Sequence, residues 1–134
     1  MSNFKYNQND KRRMEIINPD WLKTDQFQSY NDLMPFDSLT KEQLQKLIDQ
    51  KFADPHDAQN DAPSNQEFLS FMTEHPDFVV DGYAISPRRE DYRVSITAIK
   101  HKDGRIDASD ITAFKNFVRN ADEIDTITGY AWFD

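Results

Sequence analysis

The sequence predicts a two-layer α+β domain, with a small antiparallel sheet of about three strands from a β-β-α-β C-terminal half. Two or three helices from the N-terminal half cover that sheet. Two observations carry this reading. Apolar residues recur at helical spacing up to Pro76, and the period changes to alternation in the hairpin segment that follows it. Two capping boxes, Thr40 with Gln43 and Ser64 with Glu67, also mark helix starts within the N-terminal half.

Residues 1–13 are polar, rich in Asn and Lys and without an apolar period, and read as a flexible arm that leaves 14–134 as one domain. Met14 to Ile17 is short and apolar enough for a strand or a docking segment. Asn18-Pro19-Asp20 then carries the signs of a helix start: an Asn cap, Pro at the first position and an acid in the first turn. Phe27, Tyr30, Leu33 and Met34 fall at helical spacing after it, and Pro35 closes that segment.

A second helix is expected from Lys41 to Phe52, with Leu39 and Leu44 at the staple positions and Leu44, Leu47, Ile48 and Phe52 as its stripe. Pro, Asp and Asn make 53–63 a loop. Phe68, Leu69 and Met72 share one face of a third helix, which stops before Pro76 because His75 precedes a proline.

Beyond Pro76, Phe78 to Ile85 is rich in β-formers, with Gly82 signalling a bulge or close backbone approach. Tyr92, Val94, Ile96 and Ala98 alternate with polar residues and complete a hairpin that ends at Asp103-Gly104. Asp107 is expected to cap a further helix, with Ile111, Phe114, Phe117, Val118 and Ala121 on its buried side. A last strand is expected over 126–133, with Ile127, Ala131 and Phe133 on one side. The helix returns the chain, so this strand should run parallel to the second strand, beside the first, in the order second, first, last.

With 134 residues the chain is long enough to bury a core without staples, and it has no cysteine, hence no disulfide or thiolate chemistry. The first ten residues hold no signal-peptide core, no segment has the length and apolarity of a membrane span, and a cytoplasmic location is expected. A formal charge of −8, from 24 acids and 16 bases, argues against direct binding to nucleic acid or anionic membrane. The charge is segmented. Residues 52–87 contain no Lys or Arg but include Asp54, Asp57, Asp61, Glu67, Glu74, Asp77 and Asp81, and positive charge returns with Arg88, Arg89 and Arg93.

No catalytic constellation is legible. Three glycines are too few for a Walker loop or a dinucleotide fingerprint, and there is no GxSxG elbow. Asp103 to Asp110 shares spacing with the back half of a calcium loop, but Gly104 at the sixth position places Ile99 first, where a carboxylate is required. His56 lies among Asp54, Asp57 and Asp61 without a companion His, and reads as part of a solvated loop. Neither metal nor cofactor is expected.

The expected function is that of a small acidic, non-catalytic interaction protein of inhibitor, immunity or nucleic-acid-mimic type. Its partner would be a basic or nucleic-acid-binding protein. The candidate contacts are Asp54, Asp57, Asp61, Glu67 and Glu74, together with Tyr130 and Trp132, which share one face of a C-terminal strand. The alternative is a single-stranded nucleic-acid or small-ligand binder that uses an open sheet face through Arg88, Arg89, Arg93, Tyr130 and Trp132. A competing fold-level reading is that the segment around Trp21 covers Tyr130 and Trp132.

Overall fold

The computed structural model describes residues 4–24 and 30–134. Helix α1 spans Asp10–Ile17 and is capped by Asn9, whose side chain accepts the Arg12 N–H. A short 3-10 turn, Pro19–Lys23, follows, with the Asn18 side chain accepting the Asp20 N–H. Strand β1 is Leu33–Leu39, helix α2 Lys41–Asp49 and helix α3 Asn65–Glu74. Strands β2 (Phe78–Ile85) and β3 (Val94–His101) form the central hairpin. A 3-10 turn at Ala108–Asp110 leads into α4 (Ile111–Phe117), and strands β4 (Glu123–Asp125) and β5 (Tyr130–Trp132) close the chain.

The sheet has five strands in the order β1-β2-β3-β5-β4, and every adjacent pair is antiparallel. The α+β class stands, and the sheet is larger than the three strands expected. Both capping boxes form as the sequence requires, with reciprocal bonds between Thr40 and Gln43 and between Ser64 and Glu67. Gly82 sits at a bulge, where a Cβ would lie 2.0 Å from the Ser95 carbonyl oxygen.

Four elements differ from expectation. Met14 to Ile17 is the second half of α1, and Arg13, assigned to a flexible arm, is fully buried. Leu33 and Met34, expected at the end of a helix, begin strand β1; Phe27 of that helix lies outside the described residues. Pro35 fits because β1 is an edge strand, where a missing N–H breaks no ladder. Asp107 makes no side-chain cap bond, and the following helix starts later, after a 3-10 turn.

The fourth difference is the C-terminus. The helix does return the chain, and the strand that follows it, β4, runs parallel to β3 because each is antiparallel to β5. The turn at 126–129 then folds β5 back between β4 and β3, so the last strand lies antiparallel to β3 and away from β2. Ile127, expected on the buried side, is 76% exposed at that turn.

Register fixes the two faces of the sheet. Met34, Phe36, Val80, Ala84, Val94, Ile96, Ile99 and Ala131 point to one face, into a single core with Leu44 and Leu47 of α2, Phe68 and Met72 of α3, and Phe114 of α4. Phe78 stacks on Phe114 and Phe71 on Phe117, locking α3 and α4 to the sheet. Trp21 and Tyr30 pack against this same core. The segment around Trp21 therefore lies with the helix layer and does not serve as a cover for the opposite face.

Candidate functional site

The face turned away from the helices is read off the cross-strand pairs. Asp81, Ala98, Trp132 and Glu123 form one row across β2, β3, β5 and β4. Val79, Lys100, Tyr130 and Asp125 form the next. Pro35, Tyr83 and Ser95 form a third toward the other end. Tyr130 and Trp132 are half-buried, flanking Ala98 and Val79, which are buried beside them.

Charge on this face is negative and fixed in place. A bulge in β1 puts Ser38 in the left-handed region, at a φ of 58°, and the Ser38 N–H donates to Asp81 Oδ1 at 2.9 Å. Asp37 then meets Asp81 at Lys100, whose ammonium is 3.0 Å from Asp81 and also pairs with Asp37. The hydrogen bond from Asp81, and next that of Lys100, hold Asp37 below the usual carboxylate range. Burial, reinforced by Asp37, pushes Asp81 up. Tyr130 is also raised, first by burial and then by the negative field of Asp81 and Glu123. With Lys100 engaged by two aspartates, Glu123 and Asp125 add negative charge on the β4 edge.

An open polar hollow of about 560 Å³ adjoins the Tyr83–Ser95 row and is lined by Asp57, Gln59, Asn60, Tyr83, Arg93 and Ser95, among others. Gln59 anchors the 53–63 loop there. Its Oε1 accepts from Ser95 Oγ at 2.8 Å and from the Tyr83 hydroxyl at 3.2 Å, while its Nε2 donates to the Phe133 carbonyl at 3.4 Å. Burial raises Asp57, against the opposing pull of Arg93. Tyr6 is pushed up to about 12, mainly by burial and then by Asp57.

The sequence-predicted acids do not converge on one patch. Asp54 is buried, and its carboxylate accepts the His56 N–H at 2.9 Å. Glu67 is committed to the α3 cap, where it accepts the Ser64 N–H. Asp61 is exposed beside Asn60, Asp122 and Asp134, and Glu74 is exposed at the end of α3. Asp57 alone of this set reaches the hollow beside the sheet face. The acids that join Tyr130 and Trp132 on the face are Asp37, Asp81, Glu123 and Asp125. Glu123 and Asp125 flank Ile124 in an acidic-apolar-acidic alternation, a signal only three residues long, one turn before the aromatic strand.

The basic residues of the alternative reading are held in local contacts, and Arg93 alone of them lines the hollow beside the sheet. Arg88 donates to Asn31 Oδ1 at 2.8 Å, Arg89 pairs with Asp32 and with Asp91 at 2.8 Å, and Arg93 pairs with Asp91 at 3.0 Å. A separate His–Asp pair, His75 Nδ1 to Asp110 Oδ1 at 3.0 Å, stacks on Phe71. Among the described residues no hydroxyl bonds to its other ring nitrogen, so the pair lacks the nucleophile of a hydrolytic triad. Among those residues, too, no helix is long and apolar enough to cross a membrane.

Comparison with protein-family models, with curated proteins and with solved structures finds no match to this chain.

Proposed function

We propose that this is a non-catalytic interaction protein that engages a basic protein through the helix-free face of its sheet, with Tyr130 and Trp132 as aromatic anchors. Glu123 and Asp125, with the net negative charge that Asp37 and Asp81 keep around Lys100, supply the complementary charge. The observation that carries this reading is the cross-strand row Asp81–Ala98–Trp132–Glu123. It sets an aromatic residue between two carboxylates on a sheet surface that no helix among the described residues covers.

Several features favour a protein partner. Aromatic side chains fixed on strands contribute contact area at little entropic cost and are common interface hot spots. Carboxylates beside them speed encounter with a positive surface and fix register. Asp32 and Asp91 pair with Arg89 and Arg93 and offset most of the positive charge that a nucleic-acid backbone would need there, while Arg88, bonded to the neutral Asn31, keeps its charge. A partner that itself binds nucleic acid would offer the basic surface this face complements.

The test compares capture from a native lysate at low salt by the wild-type chain and by a Tyr130→Ser/Trp132→Ser variant. The expected result is a basic protein that the wild type retains, that salt elutes, and that the variant fails to retain. Retention of the same proteins by both chains would overturn the assignment of the surface.

A further inference from the structure

His101 is 4% exposed, and its Nε2 has no hydrogen-bond partner. Its other ring nitrogen, Nδ1, accepts the Asp103 N–H at 3.2 Å. A neutral ring in that arrangement carries its proton on Nε2, inside the protein, with nothing to receive it. Buried polar atoms without partners are rare enough to call for an explanation, of which an ion is one.

Two carboxylates place a candidate ion site beside this ring. One ring nitrogen of His101 and one carboxylate oxygen each from Asp77 and Asp107 all lie within 4.8 Å of one another. Three separate parts of the chain bring them together: Asp77 immediately precedes β2, His101 ends β3, and Asp107 precedes the 3-10 turn. The imidazole is held by packing. Its ring meets Phe78 edge-on at 5.3 Å, its backbone N–H donates to the Gly129 carbonyl, and a side chain at Gly129 would crowd its Cβ at 3.1 Å. The carboxylates, by contrast, can adjust, since Asp107 is exposed and Asp77 is partly exposed.

The positions of the two acids leave them available. Asp107 stands where an N-cap would be, yet its side chain makes no cap bond. The Asp77 partner is Lys102, at 3.1 Å, whose side chain is 53% exposed and free to withdraw into solvent.

We propose that Asp77, His101 and Asp107 bind one divalent transition-metal ion, with Zn²⁺ the best match. One imidazole and two carboxylates form a borderline donor set that suits zinc better than magnesium or calcium, which favour all-oxygen shells. Donors about 2.1 Å from a tetrahedral ion stand about 3.4 Å apart, so the site closes by small rotations of the two acids, and water completes the shell. Coordination at either ring nitrogen breaks the Asp103 bond, because a metallated Nε2 leaves Nδ1 protonated and a metallated Nδ1 has no lone pair to offer. Asp103 is exposed, so water replaces the acceptor at that amide.

The test is calorimetric titration of the full chain with Zn²⁺ alone, in a non-chelating buffer, with long-range ¹H–¹⁵N correlation of the imidazole groups. The expected result is one ion per chain and a changed His101 ring signal. Affinity should fall by about tenfold or more in Asp77→Asn and in Asp107→Asn. It should rise in Lys102→Ala and stay unchanged in His56→Ala. Both aspartate variants alter partly or fully exposed side chains, and circular dichroism checks their fold. No saturable binding by about 1 mM Zn²⁺ would overturn the site. So would an affinity that both aspartate variants leave intact, or one that His56→Ala removes.

Discussion

Arg13 is the side chain on which the N-terminal third depends, and its removal has a magnitude that can be worked out. The guanidinium is fully buried. It pairs with Asp10 at 2.9 Å, donates to the Ile85 carbonyl at 2.7 Å and to the Arg93 carbonyl at 3.3 Å, and reaches the Tyr30 hydroxyl at 3.2 Å. Its Cζ also lies 4.2 Å from the Tyr92 ring centroid. The two carbonyls flank the loop that joins β2 to β3, so one side chain ties α1 to the closed end of the hairpin. Arg13→Ala leaves the largely buried Asp10 without its cation and takes a donor from the Ile85 and Arg93 carbonyls, of which the Arg93 oxygen keeps the Ile85 N–H; together this should cost about 3–5 kcal/mol. For a domain of this size, that lowers Tm by about 10–20 °C. Arg13→Lys keeps the charge but loses the planar fork, and should fall between the two. Thermal melts followed by circular dichroism measure all three proteins. A Tm for Arg13→Ala within about 2 °C of the wild type would refute the view that this contact network anchors α1.

Other perturbations follow from single contacts. Gly82→Ala drives a methyl into the Ser95 carbonyl oxygen and should cost about 2–3 kcal/mol, seen as a lower urea midpoint. Ser64→Ala removes one half of the α3 capping box and should cost about 1 kcal/mol in the same assay. Burial raises Asp57, so as pH climbs the unfolded chain loses its proton first and stability falls through that range. Asp57→Asn should therefore be more stable than the wild type at pH 7, and the gap should close by about pH 3, where the aspartate is neutral in both states. Equal melting temperatures at pH 7 would count against an unfavourable environment for that carboxylate.

Local signals were legible wherever a short-range rule decided the outcome. Both capping boxes, the stop before Pro76, the Gly82 bulge and the central hairpin follow from neighbours within a few residues. Strand β1 was hidden because Phe27, Tyr30, Leu33 and Met34 fit a helical stripe, while its pairing with β2 is a tertiary fact. Strand β4 has only three residues, all exposed, and gives too short an alternation to separate from the turn that follows. Missing it displaced the last strand from its true neighbour. Arg13 looked like a solvated arm residue because its partners are about 70–80 residues away in sequence.

The proposed binding surface was half visible. Tyr130 and Trp132 sharing a face follows from strand period, but the acids that join them come from three other strands and depend on register. Asp54 and Glu67 looked like surface charge until their hydrogen bonds to loop and cap were seen. His101, Asp77 and Asp107 carry no sequence spacing that marks a ligand set, since they assemble only when the hairpin and the turn after it meet.

The most direct test of the sheet face uses the two tryptophans, one in each layer. Indole N–H signals of Trp21 and Trp132 are followed by NMR as a deca-arginine peptide is added at low salt, standing in for a basic partner surface. The account predicts that Trp132 shifts saturably, that Trp21 does not, and that the shift vanishes at high salt as screening takes over. A shift at Trp21 instead, or none at Trp132, would contradict it.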